Sequence, residues 1–447
     1  MIKHPHIRLS SVIMGLSSAL DLVSSKLVHH HRQTTCIAGR IADSMGLSDE
    51  EKSHLGIAAA LHDIGAIALN LEFELFQDGG QLNRHAEIGY LLLKKFPPFS
   101  EAARIIRHHH RLWNDGDGAY QEGEPVPLAS HILHLADRVA VQIDGNACIL
   151  SQCHRITEAL GDDTGRWFPP KVVDAFREQA SREAFWLDAF HADTSQFAID
   201  SPTVPWNVEL GLPTLQQLSE LFRVIIDFRS PLTASHSRSV ASIAEAIAKQ
   251  VGFSGQSCSL MHIAGNLHDL GKLAIPVSIL EKPGPLTNQE IFHIRSHPYL
   301  TYRVLNSIGE LDEVCSWAAL HHEALDGSGY PFRLHDVNIP LGARIVAIAD
   351  VFAALTEDRS YRKGMNRENV LKIMHSMAKE RKLDAFVFDL VVNHFDALNE
   401  LRAIAANTGN QEFKELRKEL SLLSAENIPG EKLAAAPQQQ FRQEHFS

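Results

Sequence analysis

Apolar residues along this chain recur at steps of three and four, as in Val240, Ala241, Ile243, Ala244, Ile247, Ala248 and Val251. That spacing lays one apolar stripe along an α-helix, to be buried against its neighbours. The same rhythm marks Ile57, Ala58 and Leu61, then Ala102, Ile105 and Ile106, and again Leu341, Ile345, Ile348, Phe352 and Leu355. Two-residue alternation is nearly absent, so the pattern predicts an all-α protein, with a short hairpin expected at the Gly/Pro-rich Asp326-Gly-Ser-Gly-Tyr-Pro331. A breaker-rich stretch from His191 to Pro213 reads as a linker, and a helix over Thr214–Phe228 leads out of it. The expected organisation is a first domain over 1–190, a linker over 191–213, a second domain over 214–407 and a C-terminal piece over 408–447. In that last piece one exposed helix gives way to a frayed Gln/Ala-rich tail.

The two helical halves read as divergent copies. His30 and His236 each stand 32 residues before a His-Asp pair, His62-Asp63 and His268-Asp269. His85 and His297 follow, each 24 residues ahead of a double histidine, His109-His110 and His321-His322. Asp137, in Leu-Ala-Asp-Arg, and Asp350, in Ile-Ala-Asp-Val, close the two series. Two equal spacings and one shared residue order make a duplicated domain the economical reading.

At 447 residues the chain exceeds what one core usually supports, in keeping with two domains. A net charge of -12 speaks against broad binding to a nucleic-acid backbone, which needs a cationic surplus. Cys36, Cys148, Cys153, Cys258 and Cys315 form no CxxC pair and read as reduced thiols. Residues Met1–Ser25 lack the order of a secretory signal, and no stretch approaches the roughly 18 apolar residues of a membrane span, so a cytoplasmic protein is expected.

The 26 histidines gather at discrete points, and this is where chemistry enters. Imidazole and carboxylate are ligands that Fe, Mn and Zn accept. His236, His268, Asp269, His297, His321, His322 and Asp350 make a set that suits two adjacent cations, with Asp269 bridging them through its two oxygens. Two such ions about 3.5–4 Å apart clamp both ends of an in-line displacement at phosphorus. A lone histidine such as His262 or His293 is more often a surface or hydrogen-bonded core residue. The ordered set sits in apolar helices, where unpartnered polar groups are costly.

His268-Asp269-Leu-Gly-Lys272, followed by His321-His322-Glu323-Ala-Leu-Asp-Gly-Ser-Gly329-Tyr330-Pro331, resembles the HD-GYP family of the HD metallophosphohydrolases. The resemblance covers roughly Pro231 to Met365. It implies a helical bundle and metal-dependent hydrolysis of a cyclic dinucleotide, cyclic di-GMP or 3′,3′-cyclic GMP-AMP, to the linear 5′-phosphorylated product. The seven His and Asp residues match the family's metal ligands, with iron or manganese the usual metal and zinc or nickel as alternatives. Lys272 matches a lysine that contacts the scissile phosphate, Arg359 and Arg362 match basic positions that hold substrate phosphates, and Gly329-Tyr330-Pro331 matches the signature loop for substrate fit and a signalling partner. A homodimer stays open. So does a receptor that binds a cyclic dinucleotide without turnover.

Two departures stand out. Leu232 occupies the place where some members carry a glutamate for a third metal, which favours two ions, and Ala353 replaces a common aspartate, which puts an outer hydrogen bond in doubt. The first copy keeps His30, His62, Asp63, His85, His109, His110 and Asp137, with His29, His31 and His108 as alternative registers, but has Ala66 at the lysine position and Asn114-Asp115-Gly-Asp-Gly-Ala119 in place of the loop. It is expected to be regulatory, to hydrolyse a different phosphorylated substrate, or to serve as a scaffold.

Overall fold

The computed structural model describes residues 7–22, 29–68, 79–191, 208–229, 235–358 and 363–425. Six helices of the first half have counterparts in the second. In the first half they are α1 (Leu9–Asp21), α2 (His30–Ser44), α3 (Asp49–Leu61), α4 (Gly79–Leu93), α5 (Ser100–Arg107) and α6 (Leu128–Val141). In the second they are α7 (Leu212–Arg229), α8 (His236–Val251), α9 (Gly255–Leu267), α10 (His297–Ile308), α11 (Asp312–Ala319) and α12 (Leu341–Thr356). The all-α expectation holds, and the duplicated order is visible helix for helix.

Local chemistry explains why equivalent helices begin alike. Ser48 caps α3 by accepting from the Glu51 N–H, and Ser254 caps α9 by accepting from the Ser257 N–H. In both copies the capped helix ends immediately before the His-Asp pair, so the pair is delivered at a helix C-terminus on a buried face. Just beyond lie Gly65 and Gly271. A Cβ on either would stand 2.0 Å from the main-chain oxygen of His85 or His297, so glycine is what lets α4 and α10 close onto the pair.

The short hairpin lies elsewhere than expected. Among the described residues the one sheet pairs β1 (Tyr120–Gln121) with β2 (Glu124–Pro125), after the first copy's double histidine. No strand forms around Asp326–Pro331. There the Phe332 and Leu334 N–H groups donate to the two carboxylate oxygens of Glu323, at 2.7 and 2.9 Å, and so are taken from any ladder. Gly329 is required by close approach, since a Cβ there would meet the Ala324 nitrogen at 2.3 Å.

The two halves share one apolar core. Helix α1 crosses to pack on α10, where Gly15 brings its backbone against the Ile308 side chain, while α7 packs against Ile64–Ala68 of the first half. Main-chain bonds Leu9 N–H to Val208 O (3.0 Å) and Leu210 N–H to Ile7 O (2.8 Å) tie the start of the chain to the end of the expected linker, whose residues 192–207 lie outside the described ones. The boundary expected at 407–408 falls inside one 31-residue helix, α13 (Phe395–Ala425). That helix is not simply exposed: Leu416 is buried, Phe413 meets Phe228 and Glu412 bonds Arg223 and Arg238.

Candidate metal centre

All seven donor side chains of the second copy meet in one place. Among the described residues, potential ligand atoms of His236, His268 and Asp350 lie within 4.8 Å of one another, and so do those of His297, His321 and His322. Asp269 stands between these two lobes. Its Oδ2 is 3.3 Å from His268 Nε2 and its Oδ1 is 3.4 Å from His297 Nε2, so one oxygen faces each lobe.

The imidazoles are oriented by the helix ends just before them. Nδ1 of His268, His297 and His321 lies 2.7, 2.7 and 2.6 Å from the main-chain oxygen three residues earlier, of Gly265, Ile294 and Ala318. A carbonyl only accepts, so the proton sits on Nδ1 and the Nε2 lone pair points inward. The His297 and His321 Nε2 atoms are 3.3 Å apart, and buried His268 Nε2 has no hydrogen-bond partner among the described residues. Acceptors converging on acceptors in a buried space repel unless a cation lies among them. This donor set therefore fits divalent metal ions.

Electrostatics agree. Burial holds His297 down to about 3 and His321 down to about 4, and pushes His322 well below the ordinary histidine value. Burial would raise the Asp269 carboxyl, but His268 and Lys272 outweigh it and hold the group well below the usual carboxylate range. His236 differs. Burial lowers it, yet Glu357 on Nδ1 and Asp350 on Nε2, both at 3.0 Å, raise it to about 10. Glu357 went unrecognised in the sequence as a partner for His236. It gives His236 an outer carboxylate partner although Ala353 offers none, and its signal was a carboxylate immediately after α12.

A pH dependence follows. A histidine held below its unfolded value near 6.5 binds its proton more readily in the unfolded chain, so stability is intact above that value and falls as pH drops toward the folded values of about 3 and 4. His236 shifts the other way, so its contribution stays constant through that window. Metal-stripped protein is expected to lose on the order of a few kcal/mol of unfolding free energy between pH 6.5 and about 4. Denaturant titrations at three pH values check this, and a flat profile refutes it.

Around the centre, Lys272 Nζ donates to Asp269 Oδ2 at 2.6 Å. Tyr330 stacks on His322, with centroids 4.8 Å apart, and the Arg295 guanidinium lies 4.4 Å from the Tyr330 ring centroid. Arg359, Arg362 and Leu232 lie outside the described residues.

The first copy repeats the layout. His85, His109 and His110 form one group and His30, His62 and Asp63 another. Asp63 again faces both ways, with Oδ1 3.4 Å from His85 Nε2 and Oδ2 3.2 Å from His62 Nε2, and Asp137 Oδ1 stands 3.2 Å from His30 Nε2. Of the alternative registers, His29 is exposed and His108 bonds Gln121, whereas His31 is buried beside His30. Arg138, on Asp137, is a cation with no counterpart at Val351.

Two family models, both described as HD domain, match residues 27–142 and 220–387. The chain is 29% identical over 399 residues to 3′3′-cGAMP-specific phosphodiesterase 1 of Vibrio cholerae, across 87% of this chain and 92% of that one. It is 34% identical to phosphodiesterase 3 of the same name and organism, across 62% and 59% of the two chains. It is 39% identical to the cyclic di-GMP phosphodiesterase response regulator RpfG of Xanthomonas campestris, across 36% and 43%. A crystal structure of a cyclic GMP-AMP specific phosphodiesterase from V. cholerae shares the fold, with a TM-score of 0.62 and 23% identity over 90% of this chain and 98% of that one.

Proposed function

Because the chain belongs to the HD-domain family, carrying the domain twice with the Gly-Tyr-Pro loop in the second copy, we propose that this second copy hydrolyses a cyclic dinucleotide. The observation that carries the reading is Asp269 presenting one oxygen to each of two histidine-rich lobes with Lys272 at its side. The relatives named above as cyclic GMP-AMP and cyclic di-GMP phosphodiesterases support the substrate class.

Residues His236, His268 and Asp350 would hold one divalent ion, His297, His321 and His322 the other, and Asp269 both. Iron or manganese is the expected metal, with zinc or nickel as substitutes. When bound, such a pair supplies Lewis acidity and lowers the pKa of water toward about 7. The protein's own groups do the rest. Lys272 offsets charge on the non-bridging phosphate oxygens as it builds, and the Arg359 and Arg362 guanidinium forks hold the phosphates. The Tyr330 ring, braced by His322 and Arg295, shapes the wall against which the nucleotide fits, and the same loop is the surface for a signalling partner. Water adds to one phosphorus, the bond from phosphorus to the ribose 3′ oxygen breaks, and that oxygen leaves as a hydroxyl. The product is a linear dinucleotide with a 5′ phosphate.

The first copy, with an intact donor set but Ala66 in place of the lysine, serves as a second metal centre that regulates the other or acts on a different phosphorylated substrate. Among the described residues no helix is long and apolar enough to cross a membrane, and a cytoplasmic location fits the second-messenger reading.

Metal-loaded full-length protein, incubated without oxygen with cyclic di-GMP or 3′,3′-cyclic GMP-AMP, is expected to give linear product on chromatography. Absence of product from both, with metal content verified, overturns the proposal.

A further inference from the structure

The first copy is not a reduced version of the second, because one of its buried groups has no counterpart there. His31 follows His30, is fully buried, and its Nε2 has no hydrogen-bond partner among the described residues. Asp21, the last residue of α1, holds its other nitrogen, with Oδ1 2.5 Å from Nδ1. A carboxylate only accepts, so Nδ1 carries a proton and Nε2 is directed away from Asp21. It is directed into the centre. His31 Nε2 is 3.6 Å from Asp63 Oδ2, and its ring centroid is 5.1 Å from that of His62 and 5.4 Å from that of His30.

The second copy shows what this position does otherwise. Asp227 stands nine residues before His236, as Asp21 stands nine before His30, and it too binds the residue after the first histidine. There that residue is Ser237, whose hydroxyl donates to Asp227 Oδ1 at 2.7 Å and offers nothing to the metal site. The two copies differ again at the bridging aspartate. In the second, Lys272 neutralises Asp269 Oδ2 at 2.6 Å; in the first, the lysine is Ala66 and the equivalent oxygen, Asp63 Oδ2, faces the three imidazoles of His62, His30 and His31 at 3.2, 3.7 and 3.6 Å.

A buried imidazole nitrogen left 3.6 Å from a carboxylate oxygen, beyond hydrogen-bond length, is an unfavourable arrangement. A cation between them reverses it. We infer that His31, oriented by Asp21, is an additional metal ligand of the first copy's centre, on the His30/His62 side. The carboxylate, imidazole and metal then form the oriented chain by which proteins fix a ligating histidine. The inference rests on the reading that the first copy holds metal.

Cobalt(II) binding to full-length protein tests both at once, read as ions per chain, affinity against a chelator and the visible absorption of the bound ion. Asp63→Ala is expected to lose the first centre's cobalt, whereas His31→Ser, which installs the residue the second copy uses, is expected to weaken one cobalt by about tenfold or more and change its absorption. Asp21→Asn keeps the imidazole and is expected to give a smaller loss in the same direction, which preserves the test if His31→Ser folds poorly. Unchanged cobalt in Asp63→Ala defeats the metal reading and the inference together. Loss in Asp63→Ala with wild-type stoichiometry, affinity and spectrum in His31→Ser and Asp21→Asn defeats the inference alone.

Discussion

Asp269→Ala is expected to lower ring opening by about 10³-fold or more and to strip metal from the second copy, while Asp63→Ala leaves ring opening far less affected. The asymmetry comes from where each carboxylate sits. Asp269 is the one donor whose two oxygens face different lobes, so its loss removes a ligand from both ions at once. It is almost fully buried, and its charge is held by His268 and Lys272, so the variant also leaves Lys272 without its partner. The readout is initial rate together with metal per chain and helical content by circular dichroism. Wild-type activity in folded Asp269→Ala protein contradicts the whole assignment.

Lys272→Ala is expected to lower kcat by about 10²-fold to 10³-fold with metal content unchanged. The lysine reaches the centre from the end of the turn after the His-Asp pair and keeps partial access to solvent, with 23% of its side chain exposed against 3% for Asp269. That places its charge at the mouth of the centre, where a phosphate arrives, and not among the ligands. A metal-retaining protein with wild-type kcat rules out the charge-stabilising role. Coupled loss of metal and rate assigns Lys272 to holding Asp269 instead.

Much of this was legible in the chain because the second copy's histidine donors fall beside helix ends. A histidine just past a helix end that bonds the carbonyl three residues back is turned inward, as His62, His109, His268, His297 and His321 are, and equal spacing in two copies marked the candidates. Partners chosen by long-range approach were not legible. Glu357 lies 121 residues from His236, and Arg295 reaches the Tyr330 loop from the end of a helix elsewhere in the chain. His31 sat in a run of three histidines with nothing local to separate it from its neighbours; Asp21, on a different helix, does that. The expected hairpin failed for a similar reason, since Gly and Pro signal a turn while a buried Glu323 decides what the flanking N–H groups bond to. The C-terminal helix read as exposed because its part from Gln411 onward is rich in charged residues, although Glu412 uses its charge against Arg223 and Arg238.

The crossing of α1 onto α10 constrains how this molecule can be dissected. The strip of α10 against which Gly15 nestles runs down the helix whose first residue is His297, one of the proposed ligands. A truncated protein starting near residue 205 would present that strip to water and lose the backbone ties at Val208 and Leu210. Its sluggishness or insolubility in an assay would say little about what the earlier copy does chemically. Point variants in the intact chain are the informative way to apportion labour between the twins.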